Sequence, residues 1–88
     1  MTTTIETLTA HLESLEAEFE RQVAQVSPTL THVVNADGSL SMVRHFRGSV
    51  RKLEETESRQ MQANPAYQQL RQWLYVQKRM AFESYNSV

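Results

Sequence analysis

Three histidines, His11, His32 and His45, and the carboxylates Glu13, Glu16 and Glu20 are the side chains of this sequence best suited to proton transfer or metal binding. A helical zinc site needs two imidazoles one turn apart, at i and i+4. These three histidines fall in three different segments, so no such pair forms. Glu16 and Glu20 do share a helix face. Acid–base or metal chemistry would need them in a dry pocket that perturbs their pKa, whereas their spacing puts them opposite an apolar seam, on a wet face. The chain carries no cysteine and only two glycines, which excludes disulfides, thiolate metal sites and a glycine-rich phosphate loop. No nucleophile motif is present. The expectation is a non-catalytic protein with no cofactor, no metal and no small-molecule substrate.

A second constellation is basic. Arg44, Arg47, Arg51 and Lys52 lie close together beside His45 and Phe46, and could contact three or four phosphates of a nucleic acid. Against this, nine Lys/Arg and ten Asp/Glu leave a net charge of −1, and no helix-turn-helix pattern surrounds the block. The N-terminal quarter is acidic, with Glu6, Glu13, Glu16, Glu18 and Glu20 opposed only by Arg21. Pairing of the basic block with this acidic segment explains both runs without nucleic acid.

The elements that must position these residues begin with a helix over about 3–26. Thr3 and Glu6 have the spacing of a capping box. Ile5, Leu8, Leu12, Leu15, Phe19, Gln22 and Val26 then recur at steps of three and four, a heptad seam of the coiled-coil kind with one polar slot. At 1.5 Å per residue this helix is about 36 Å long, more than a small globule can cover, so part of it should lie along another helix. Ser27-Pro28 ends it.

Leu30 to Val43 reads as a β-hairpin around Asn35-Ala36-Asp37-Gly38, a type I turn closed by a left-handed glycine. Val33, Leu40 and Met42 are expected on the face packed against the helices. A second helix is expected over about 48–62, with Val50, Leu53 and Met61 as a narrow apolar stripe that pairs with the first helix. The second strand could instead begin the second helix, because Val43, Phe46, Val50 and Leu53 also fit helical spacing, which makes an all-α chain the alternative; Gly48 argues for a break, costing about 1 kcal/mol relative to alanine inside a helix. Asn64-Pro65 caps and starts a third helix over about 65–85.

The third helix is apolar on more than one side. At about 100° per residue, Tyr67, Leu70, Leu74, Ala81 and Tyr85 make its main face. Trp73, Val76 and Met80 make a second, and Tyr75 with Phe82 a third. A helix buried on several sides needs more cover than two short partners provide. Trp73, Tyr75, Val76, Arg79, Met80 and Phe82 combine residue types enriched in interface cores.

The fold expected is therefore mainly α: a single domain over residues 1–88, built as a three-helix bundle or helical hairpin with a small β-hairpin inserted after the first helix. The function expected is a non-catalytic protein-interaction module, such as an assembly factor, adaptor, chaperone or inhibitor. It would associate with protein, most simply with a second copy, through the seam Leu8, Leu12, Leu15 and Phe19 and the aromatic side of the third helix. Nucleic-acid binding through Arg44, Arg47, Arg51 and Lys52 is the alternative. With no basic-then-apolar leader and no run of about 18 apolar residues, the expected location is cytoplasmic and no membrane role is indicated.

Overall fold

The computed structural model describes residues 4–86, which form three helices and a three-stranded antiparallel sheet. The chain runs α1 (Ile5–Val26), β1 (Leu30–Val34), β2 (Leu40–Phe46), β3 (Ser49–Lys52), α2 (Glu55–Gln62) and α3 (Pro65–Asn86). The protein is mainly α with a small sheet inserted after the first helix.

Helix α1 starts one residue later than its capping box implies. The cap is Thr4, whose hydroxyl accepts the N–H of Thr7 at 3.1 Å; Thr3 lies outside the described residues. At the other end the Ser27 N–H closes on the Val23 carbonyl at 2.8 Å before Pro28 turns the chain. Leu8, Leu15, Phe19 and Val23 are buried, Leu12 packs on the core, and Ile5 is exposed. The stripe drifts from the heptad by one position: fully buried Val23, eleven residues after Leu12, takes the core place expected of Gln22. An eleven-residue span matches 3.67 residues per turn, close to the pitch of a straight helix. Gln22 is left on the flank, donating to Glu18 at 2.9 Å.

The first hairpin forms as its turn residues require. Gly38 donates to the Asn35 carbonyl at 2.9 Å, Asn35 donates to the Ser39 carbonyl at 2.8 Å, and Gly38 has φ +86°. This loop pairs Val34 with Leu40, Val33 with Ser41 and His32 with Met42. Because successive residues alternate faces, Leu30, His32, Leu40 and Met42 share the inner face. Val33 does not: it points away and is exposed, correcting the expectation that groups it with Leu40 and Met42.

The second helix also needs correction, because residues 48–52 are not helical. Arg47 and Gly48 both have positive φ, 48° and 81°, the condition for a two-residue type I′ hairpin turn. They pair Phe46 with Ser49 and His45 with Val50. Gly48, which argued for a helix break, instead turns a second hairpin, and Val50 lies exposed on an edge strand. Helix α2 is left with eight residues, none of them buried. Leu53, in the link before it, and Met61, within it, are partly buried against the core.

The main partner of α1 is consequently α3 and not α2. The two run antiparallel: Leu8 and Ala81 line one groove, Glu16 pairs with Lys78 at 2.9 Å, and Val26 and Ala66 line another groove. Asn64 caps α3 by accepting the N–H groups of Ala66 and Tyr67 at 2.9 and 3.3 Å. The core gathers Leu15, Phe19 and Val23 of α1, Leu30 and Met42 of the sheet, and Tyr67 and Leu74 of α3. The molecule is elongated, 45 × 27 × 24 Å.

Candidate functional site

Four polar residues from three elements meet at the centre of the fold. Glu20 projects from α1, His32 from the inner face of β1, and Tyr67 and Arg71 from successive turns of α3. His32 Nδ1 is 2.8 Å from Glu20 Oε1, and its Nε2 is 2.7 Å from the Tyr67 hydroxyl. Arg71 Nη1 donates to the same hydroxyl oxygen at 3.2 Å. The His32 and Tyr67 rings stack at 5.8 Å with 9° between planes, and Phe19 closes on both.

One proton arrangement satisfies the chain from end to end with an ionised Glu20 and a neutral imidazole. Arg71 donates to Tyr67, the Tyr67 hydroxyl donates to Nε2, and Nδ1–H donates to Glu20. Burial, with the Arg71 charge nearby, pushes His32 down to about 4, so the ring is neutral near pH 7. Burial raises Glu20 against the opposing pull of the His32 backbone N–H, with the neighbouring Glu16 carboxylate adding to the rise. Its second oxygen, Oε2, is buried and meets no donor. Burial likewise raises the Tyr67 phenol.

A carboxylate, an imidazole and a hydroxyl in line have the form of a nucleophile-activating triad. The environment works against that chemistry here. Tyr67 is 2% exposed, and its proton is held more tightly than in free tyrosine. What the chain does is cross-link α1, β1 and α3 and hold the Arg71 guanidinium in place.

Arg71 stands on the wall of a cleft of about 650 Å³ between α2, α3 and strands β2 and β3. The cleft opens at the edge of β2 beyond the end of β3, so both faces of the sheet border it, Leu40 and Met42 from one and Ser41 and Lys52 from the other, with Leu53, Ser58 and Gln72 beside them.

The residues singled out in the sequence are distributed as follows. Leu8, Leu15 and Phe19 are buried and Leu12 is half-buried against the core, so most of the seam is spent within the chain on α3 and the sheet. Trp73 is half-buried on the core. Tyr75, Val76, Met80 and Phe82 are exposed, at 62, 38, 57 and 46%, and Arg79 pairs with Glu83 on the outer surface at 3.1 Å. The basic block is divided. Arg44 and Arg51 both reach Glu57 of α2, at 3.4 and 3.1 Å, Arg47 sits in the β2–β3 turn over Phe46, and Lys52 lies on the opposite face of the sheet from Arg44. The block thus finds its acidic partner on α2 and not on α1, and its four cations share no single face. Of the histidines, His11 is exposed and His45 contacts Thr31 at 2.7 Å.

Glu20, His32, Tyr67 and Arg71 escape a sequence reading because they are brought together by tertiary structure. Only Tyr67 and Arg71, four apart on one helix, are visible as neighbours in the chain.

Comparison with protein families, curated proteins and solved structures finds no match to this chain. Among the described residues no group of histidines and carboxylates is arranged to hold a metal ion, and no helix is long and apolar enough to cross a membrane.

Proposed function

We propose that this protein is a non-catalytic interaction module that associates with a second copy of itself through the open face of the α1–α3 hairpin. The observation that carries the reading is the exposed apolar flank of α3, Val76 and Met80 beside half-buried Trp73, on the side of the helix pair away from the sheet.

Charge distinguishes the two sides. Turned at about 100° per residue, Glu6, Glu13, Glu16 and Glu20 of α1 fall within about 80° of one another, on the flank where Glu20 meets His32 of the sheet. The opposite flank presents Thr7, His11, Gln22 and Gln25 to shallow grooves completed by Gln69, Gln77 and Met80 of α3. Its carboxylates, Glu18 of α1 and Glu83 of α3, which falls about 20° from Val76, are each bridged by an arginine, Arg21 and Arg79. A two-fold interface brings each patch against itself, so an acidic flank repels its copy and a neutral, partly apolar one does not. Two antiparallel helices about 33 Å long offer roughly 600 Å² per copy, or about 1,200 Å² in all, the lower end of the range for specific dimers.

The test is the mass of the purified chain by light scattering across micromolar concentrations. The expected result is twice the 10.2 kDa chain mass, with Trp73 emission shifting to the blue as the dimer fills. Met80→Glu, on the proposed interface, should give a monomer, and Phe82→Glu, on the other flank, should not. A wild-type monomer throughout, with Trp73 emission independent of concentration, overturns the reading.

A further inference from the structure

We propose that the cleft between α2, α3 and the sheet is a binding site for a small organic anion, one that joins a carboxylate or phosphate to an apolar body. Three observations lead there independently of any association between copies.

The first is charge. Of the nine lysines and arginines, six are ion-paired: Arg21, Arg44, Arg51, Arg59, Lys78 and Arg79. The three without a carboxylate partner among the described residues are Arg47, Lys52 and Arg71, and two of these, Lys52 and Arg71, line the same cleft. None of the described residues lining it is Asp or Glu. The nearby Glu57 is already taken by Arg44 and Arg51.

The second is the polarity of the hydroxyls. Ser41 accepts an amide proton from Asn35 at 2.8 Å, and Ser58 accepts one from Gln62 at 3.1 Å. Each serine oxygen is engaged as an acceptor, so each hydroxyl proton remains to be donated. With the ammonium of Lys52 and the remaining guanidinium N–H groups of Arg71, the rim is rich in donors, the arrangement an anion requires. Leu40, Met42 and Leu53 on the same cleft suit a carbon skeleton, and the volume is that of an ordinary small-ligand pocket.

The third is preorganisation. Arg71 is not a free surface arginine: the Tyr67 hydroxyl holds it, and that hydroxyl is anchored through His32 to Glu20. A guanidinium fixed before the ligand arrives loses less side-chain entropy on binding. The buried polar chain thereby gains a purpose beyond cross-linking three elements, since it ends on the one arginine of the cleft.

The experiment is an NMR titration of the full ¹⁵N-labelled chain with phenyl phosphate and with benzoate, which carry the two anionic groups on one apolar body, and with uncharged benzamide. Saturable shifts at the amides of Ser41, Lys52, Ser58 and Arg71 are expected with at least one anion and not with benzamide; the tighter of the two identifies the preferred group. Arg71→Gln and Lys52→Gln should each weaken binding by about tenfold, the loss of one charge-assisted contact. Arg47→Gln, which removes the third unpaired cation from a turn outside the cleft, should leave it unchanged. Both cleft residues are exposed, so these variants should keep the wild-type spectrum elsewhere. The proposal is overturned if neither anion saturates at millimolar concentration, if benzamide shifts the same amides equally, or if Arg47→Gln weakens binding as much as Arg71→Gln.

Discussion

Acidification should unfold this protein earlier than its surface carboxylates would, and His32 sets the window. In the folded chain its pKa is lowered to about 4 from an ordinary 6.5; the unfolded chain returns it to the ordinary value. Between those values the unfolded state binds a proton that the folded state refuses. Stability therefore falls with decreasing pH, by up to 1.36 kcal/mol per unit, beginning near 6.5 and complete near 4. Over the whole interval His32 alone costs about 3 kcal/mol, a large share of a small domain's stability. Glu20 acts in the opposite sense: its folded pKa is raised, so the native state takes up that proton first and regains part of the loss. Asp37 and Glu57 are lowered by the hydrogen bonds and charge they receive. Their stabilisation is lost only as pH falls below the ordinary carboxylate range, so the interval from 6.5 to 4.5 belongs to His32 and Glu20. Urea unfolding followed by far-ultraviolet circular dichroism at pH 6.5 and 5.0, at one protein concentration, should show a fall of about 1.5 kcal/mol. That is roughly 1.5 M in the midpoint for an m-value near 1 kcal/mol/M. His32→Gln, which retains an amide between Glu20 and Tyr67, should flatten the dependence. A wild-type midpoint that does not move over this interval, or a His32→Gln variant with the wild-type slope, refutes the assignment.

Three further outcomes follow from the same structure. Tyr67→Phe removes the hydroxyl while keeping the buried ring, leaves His32 Nε2 without a partner, and should cost about 1–3 kcal/mol in thermal unfolding. Leu74→Ala, in the packed centre of α3, should cost about 2–5 kcal/mol, whereas Val50→Ala on exposed β3 should stay within about 0.5 kcal/mol. A comparable loss at Val50 would mean that another surface covers that strand. Asn64→Ala removes the oxygen that accepts two N–H groups at the start of α3 and should cost about 1 kcal/mol, read from urea midpoints; Asn64→Asp, which keeps the cap, should not.

Much of this fold is local, and local features were readable in the chain. Ser27-Pro28 stops α1 because proline restricts the residue before it. Asn64-Pro65 starts α3, and Asn35-Ala36-Asp37-Gly38 turns the first hairpin, each through the conformation of two to four consecutive residues. Helical periodicity likewise identified the main face of α3, since Tyr67, Leu74 and Ala81 are buried, and it also identified the apolar side chains left over at Tyr75, Val76, Met80 and Phe82.

What tertiary structure decided was pairing. Val43, Phe46, Val50 and Leu53 fit a helix by spacing, but Arg47 and Gly48 in the left-handed region fold that stretch back as strand. A non-glycine residue rarely adopts such a conformation, so the sequence does not announce it. The hairpin register is governed by the loop and fixes which face each residue occupies, and a difference of one residue moves Val33 from the core to the surface. Glu20, His32, Tyr67 and Arg71 are separated by up to about fifty positions, and no periodicity links them. Only when α1, β1 and α3 pack do the scattered histidine and the carboxylate expected on a wet face become one buried chain of hydrogen bonds. Residue types set what chemistry was possible, and packing decided which of them meet: Glu20 with His32, His32 with Tyr67, and Tyr67 with Arg71.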